Sequence, residues 1–266
     1  MDKAKKLIIN IKLFFSYREL LFNLARREIT QRYKQSILGY AWVILNPLFQ
    51  IIVLSFVFST VFKVSFYSVP YIIFLVVGLL PWNFFALSLS SSVNSLTGNS
   101  SLITKIYFPR EILVYGTIIA KMVDFFYSCL VLIPFFIFYQ VSLTSQILWV
   151  IPIFTIQLIF TAGLALLIAA FNLFYRDIQY LLTLIVSLWF YLTPVIYPVE
   201  QFPQKYRFIF SLNPMSVIIN AYRQVIFTNS SPNYNSLGVA AISSLLLFLI
   251  AFLIFKKLEG KFADYV

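Results

Sequence analysis

Six long apolar runs constrain this chain more than any other feature. They cover residues 43–62, 69–93, 112–139, 148–171, 178–196 and 238–255. A helix crossing about 30 Å of hydrocarbon needs about 20 such residues. A water-soluble core of this length cannot hide so much apolar surface. Composition agrees: 61% of the 266 residues are apolar and 11% charged, against roughly 45–50% and 25% in soluble domains. The expected fold is an all-α integral membrane protein. Residues 1–42 form a cytoplasmic N-terminal segment, 43–255 a six-helix transmembrane domain, and 256–266 a cytoplasmic tail.

The same composition excludes several chemistries. With no histidine, His-dependent triads, zinc sites and proton relays fall away. Cys129 is the only cysteine and sits in an apolar run, which suits a small buried hydrophobe and rules out disulfides within the chain. The seven glycines are never closer together than 18 residues, whereas phosphate-cradling loops need glycines within about five. The chain therefore carries no catalytic cluster, no metal site and no nucleotide loop of its own. Uphill transport would draw its energy from an ion gradient or from another subunit.

The net charge of +11 would suggest nucleic acid in a soluble domain, but cytoplasmic loops of membrane proteins gather Lys and Arg. With the N-terminus inside, fifteen of the twenty Lys and Arg fall in cytoplasmic segments, and four (Lys63, Lys205, Arg207, Arg223) fall outside. That split puts both termini in the cytoplasm. The first residues, Lys3–Lys6 and an apolar run broken by Lys12, read as a retained segment along the membrane surface, with no cleavage site.

Four features are not plain spans. Ser16 and Glu19 fit a capping box, which predicts a helix over residues 16–36 carrying Arg26, Arg27, Glu28 and Arg32. Glu28 and Arg32 interrupt its apolar side, so an interfacial helix and a solvated one both fit. The connection 94–111 has room for a short helix over 101–107 (Ser101, Leu102, Ile103, Thr104, Lys105, Ile106, Tyr107), ended by Pro109. Leu102, Ile103 and Ile106 would share an exposed face, either a partner's docking site or a loop against the bilayer. Lys121 and Asp124, three residues apart within a span, form either a structural pair or a functional one. The long connection 197–237 holds two short apolar stretches, 206–212 and 215–227, as re-entrant half-helices do.

The chain resembles the transmembrane subunits of ABC-2 type exporters, in particular those of O-antigen, capsule and teichoic-acid precursors. The resemblance rests on Arg32-Tyr33 with residues 36–48 (SILGYAWVILNPL), on 102–111 (LITKIYFPRE), 172–177 (NLFYRD) and 192–198 (LTPVIYP), and on 212–215 (LNPM) with Tyr222-Arg223. It implies a homodimeric permease for a lipid-linked glycan, working in the membrane with two copies of an ATP-binding subunit that holds ATP and Mg. In such exporters the N-terminal helix and first cytoplasmic loop contact that subunit, which assigns ATPase coupling to Arg26, Arg27, Glu28, Arg32 and to residues 101–107. It further implies an outer gate at Tyr197, Pro198, Glu200, Asn213 and Pro214, and channel walls from the first and fifth spans, with Phe49, Phe56, Trp189 and Tyr191 as candidates. A drug or small-lipid exporter of the same class is the nearest alternative. An ion-driven secondary transporter is the alternative of a different class.

Overall fold

The computed structural model describes residues 17–61, 70–142 and 144–265, and every regular element among them is helical. In chain order these are α1 (Arg18–Tyr33), α2 (Trp42–Phe56) with a π-helical continuation (Val57–Val61), and α3 (Tyr71–Ser92). Next come α4 (Ser100–Lys105), α5 (Glu111–Ser128), α6 (Leu132–Phe138), α7 (Val150–Phe174) and α8 (Ile178–Leu192). The chain ends with α9 (Arg207–Leu212), α10 (Pro214–Phe227), α11 (Tyr234–Glu259) and α12 (Phe262–Tyr265).

Among the described residues, five helical stretches are long and apolar enough to cross a membrane: Gly39–Ser59, Tyr71–Ser92, Glu111–Phe138, Ser145–Phe174 and Tyr234–Glu259. They match five of the six sequence runs. The sixth, expected as a span over 178–196, forms a helix of only 15 residues, about 22 Å at 1.5 Å per residue. Pro194 explains the shortfall, because proline disfavours helical backbone in the residue before it, and Thr193 is extended (φ −108°, ψ 133°). The expected span over 178–196 thus ends as a helix at Leu192.

The connections sort to two ends of the bundle. At one end α1, 93–110, 172–174 and the C-terminal helix meet: Arg27 donates to Asn99, and Asn172 donates to the Val93 carbonyl at 2.9 Å. Phe174 packs on Phe262 there. At the other end Thr144 donates to Asn229 Oδ1 (3.0 Å), and the Tyr71 hydroxyl donates to the Ile196 carbonyl (2.9 Å). Among the described residues, α8 is shorter than the five long helices.

Helix α3 is the centre. Its buried residues lie all round its circumference, as expected of a helix apolar on every side, and α2, α5, α7, α8 and α10 all pack on it. A polar relay fixes its middle: the Tyr222 hydroxyl donates to Gln157 Oε1 (3.1 Å), and Gln157 Nε2 donates to the Pro81 carbonyl (2.7 Å). Helices α7 and α11 lie backbone to backbone, since a Cβ on Gly163 would sit 3.0 Å from Phe248 Cα. Buried Ala165, Ala169, Ala170 and Ala251 supply the small side chains that such close helix packing requires.

Candidate functional site

At the end that holds α1 and α4, ionic side chains decide the geometry. Helix α1 ends at Tyr33 rather than residue 36, and Ser16 lies outside the described residues, so the expected capping box is not described. Its buried side carries Leu21, Leu24 and Ala25, turned onto α5. Glu28 and Arg32 continue that same side, at i+7 and i+11 from Leu21. The two charges that interrupt the apolar face are the ones that bond. Arg32 pairs with Glu28 at 3.0 Å and with Asp124 at 2.5 Å. Asp124 also accepts from the Tyr40 hydroxyl at 3.0 Å and lies 3.7 Å from Lys121 Nζ. The expected Lys121–Asp124 pair exists, but its closer cation comes from α1, a contact no local spacing reveals. A cavity of about 330 Å³ opens beside this cluster, lined by Asn46, Gln50, Asn83, Lys121, Asp124 and Ser128 among others.

The coupling candidates sort differently from the expectation. The short helix covers Ser100–Lys105, and Ile106 is extended (φ −130°, ψ 135°). Ile103 is buried, Leu102 is half-buried against the core, and only Ile106 and Tyr107 stand out, Tyr107 at 95% exposure. Ile103 therefore anchors α4 to its own chain and shares no open face with Ile106. Ser101, Thr104 and Lys105 are exposed, as are Arg26 and Arg27 on α1. The hydrogen bond from Arg27 to Asn99 brings the two elements side by side. A second ionic cluster pins the neighbouring helix ends: Lys256 contacts Glu111 (2.8 Å) and Glu259 (2.9 Å), and the Arg110 backbone N–H donates to Glu259 Oε1 (2.9 Å).

Several helix faces are exposed along the bundle, among them apolar ones on α6 and α11, and two of them carry amide and hydroxyl groups. On α2, Trp42, Asn46, Phe49, Gln50, Val53 and Phe56 are all exposed and fall within about 120° of the helical wheel at 3.6 residues per turn. On α8, Tyr180, Thr183, Ser187 and Tyr191 form a matching exposed stripe. Asn46, Gln50, Thr183 and Ser187 put amide and hydroxyl groups on helices that are otherwise apolar. Gln50 accepts from Asn83 at 3.0 Å, and Thr183 and Ser187 donate to the Gln179 and Thr183 carbonyls at 3.0 and 2.8 Å; acyl chains offer the remaining amide groups no hydrogen bonds. Of the four channel candidates, Phe49, Phe56 and Tyr191 lie on these faces. Trp189 does not: it packs edge-on against Phe85 at 5.2 Å and donates from Nε1 to Asn213 Oδ1 at 3.1 Å.

At the far end, the backbone after α8 runs through the protein interior, with Thr193, Val195 and Ile196 buried. Non-helical backbone at such depth persists only where protein satisfies its polar groups. Arg223 and Tyr71 supply donors to the Pro194, Val195 and Ile196 carbonyls, and Asn213 braces the segment: its Oδ1 caps α10 at the Met215 N–H (3.1 Å), and its Nδ2 donates to Thr193 Oγ1 (2.9 Å). Pro214 fills the first helical position, where no N–H is needed. Tyr197 donates to the Tyr191 carbonyl at 2.5 Å and meets Phe202 and Phe210 edge to face or tilted. Pro198 is half-buried, and the Glu200 side chain lies outside the described residues. Arg223 departs most from expectation. Counted among the outer cations, it is buried inside α10, with its guanidinium 3.5 Å from the Phe74 ring centroid.

The chain matches the family model described as "ABC-2 type transporter" over residues 19–227. It is 33% identical over 247 residues to an O-antigen export system permease protein, RfbA, of Klebsiella pneumoniae, covering 92% of this chain and 94% of that one. The RfbA of Myxococcus xanthus is 29% identical over 258 residues, 96% and 98% of the two chains. A polysialic acid transport protein of Escherichia coli, KpsM, is 22% identical over 219 residues, 80% and 82%. With the family model covering well over half of its length, the chain belongs to the ABC-2 type transporter family.

Proposed function

We propose that this chain is the membrane subunit of an ABC exporter that carries a lipid-linked polysaccharide, of O-antigen, capsule or teichoic-acid type, out across the inner membrane. It works as a homodimer with two copies of an ATP-binding subunit, which binds ATP and Mg and supplies the hydrolysis. The observation that carries this reading is the pair of uncovered faces on α2 and α8. Against lipid, the Asn46 amide and the Gln50 NH2 group would lose hydrogen bonds to water at a cost of roughly 1–3 kcal/mol each, while Thr183 and Ser187 bond back to their own helix. Across a water-filled path shared with a second copy, the same groups meet sugar hydroxyls, while Phe49, Phe56 and Tyr191 offer flat apolar faces to the sugar rings. The relatives named for O-antigen export and polysialic acid transport support a polysaccharide cargo.

The remaining assignments follow the bundle's two ends. The excess of Lys and Arg on the α1 and α4 end supports a six-span topology with both termini cytoplasmic. Arg26 and Arg27 with Ile106 and Tyr107 form the ATPase-docking face. Tyr197, Pro198, Glu200, Asn213 and Pro214 belong to the outer gate. Co-expression with a candidate ATP-binding subunit, co-purification and reconstitution into liposomes tests the whole reading. Lipid-linked glycan should become protected from added glycosidase only when both subunits and ATP are present. Protection without ATP, or no stable complex with an ATP-binding subunit, would refute it.

A further inference from the structure

Arg223 holds the break after α8 through both terminal nitrogens of its guanidinium. Its Nη1 donates to the Pro194 carbonyl at 2.5 Å, and its Nη2 donates to the Val195 carbonyl at 2.6 Å and the Phe74 carbonyl at 3.3 Å. These first two carbonyls follow the C-terminus of α8, where the helix dipole favours a cation. The fork geometry matters, because Arg spreads fixed donors over several acceptors and Lys offers one compact charge. Gly78 makes the arrangement possible. A Cβ there would overlap Arg223 Nη2 and come to 3.1 Å from the Val195 carbonyl oxygen. One residue from α10, one glycine from α3 and the turn after α8 thus form a single closed fitting. The Tyr71 hydroxyl on the Ile196 carbonyl extends it by one residue.

We propose that Arg223 is a positioning residue for transport: it locks the turn 193–196, and through it the outer end of the α8 stripe that carries Tyr191. This rests on the reading of that stripe as part of the glycan path. Arg223 touches no cargo, and its effect passes through backbone carbonyls alone. Removing the lock should let Thr193–Ile196 open to water while the bundle around α3 stays packed.

The test uses the purified complex with its ATP-binding subunit, in a Cys129→Ala background so that each introduced cysteine is alone. Val195→Cys reports the turn and Ser88→Cys reports the bundle, since both positions are fully buried. Two independent changes release the lock. Arg223→Lys keeps the charge and loses the fork, and Gly78→Ala displaces the flexible end of Arg223 by its added methyl. Each should raise maleimide labelling of the Val195 cysteine at least tenfold, leave the Ser88 cysteine unlabelled, and cut ATP-driven export several-fold at normal abundance. Combining the two changes should add little to either. Unchanged labelling at 195 in both variants overturns the lock. Equal labelling at 88 and 195 assigns Arg223 to general stability and overturns the positioning role, as does full export from a turn that has opened. Export by the parent complex tests the underlying reading separately.

Discussion

Replacing Asp124 with Asn removes the carboxylate that Arg32, Lys121 and the Tyr40 hydroxyl share, and the consequences divide unequally. Breaking a buried ion pair from one side costs about 3–5 kcal/mol, because the other charge stays buried. Arg32 keeps Glu28 at 3.0 Å and has 27% of its side chain exposed. Lys121 has only 7% exposed, so it carries the loss, which falls at the lower end, about 3 kcal/mol. Lys121→Met is different: Asp124 keeps Arg32 at 2.5 Å and Tyr40 at 3.0 Å, and the lost contact was 3.7 Å long. That change costs about 1 kcal/mol or less. The double variant buries no orphan charge and should regain about 2 kcal/mol of the Asp124→Asn loss. At roughly 2–4 °C per kcal/mol for a chain of this size, tryptophan fluorescence in detergent should place Asp124→Asn about 6–12 °C below the parent. The double variant should lie between them. A Lys121→Met loss as large as that of Asp124→Asn, or a double variant no better than Asp124→Asn, would refute the reasoning.

Changing Ile106 and Tyr107 together to Asp should leave membrane abundance intact and abolish co-purification of the ATP-binding subunit, because both side chains face outward. Ile103→Asp alone should instead lower abundance, since it puts a charge into the chain's own core; normal abundance of that variant would contradict its placement. Trp189→Ala should cost roughly 3–5 kcal/mol of stability as a packed aromatic, and abundance and export should fall together. Tyr191→Ala should slow export with abundance retained, and immunoblotting beside an export assay separates the two.

Much of this architecture is legible in the sequence because hydropathy and charge act locally. Runs of about twenty apolar residues have one solution in a bilayer, and the helices over 71–92, 111–138 and 150–174 follow them closely. The Asn-Pro pair at 213–214 similarly marks a helix start by cap chemistry alone. What stays hidden depends on partners distant in sequence. Glu28 and Arg32 look like blemishes on an apolar face until α5 brings Asp124 to them across 92 residues. Ile103 and Ile106 look like neighbours on one face, but the helix ends between them. Arg223 reads as one more outer cation, whereas its acceptors at Phe74 and Pro194 lie 149 and 29 residues away. Pro194 is a local signal for the end of α8, because proline disfavours helical backbone in the residue before it.

The path itself is the most direct thing to measure. A photo-reactive benzoylphenylalanine can replace Phe49 on α2, Tyr191 on α8, or Leu246, an exposed residue of α11 at 55% exposure. In vesicles holding both subunits and a radiolabelled lipid-linked glycan, irradiation during ATP-driven transport should couple glycan to positions 49 and 191. Position 246 should give lipid adducts and no glycan. Glycan coupling at 246 equal to that at 49 and 191, or none at either α2 or α8, would contradict a translocation path along those two faces.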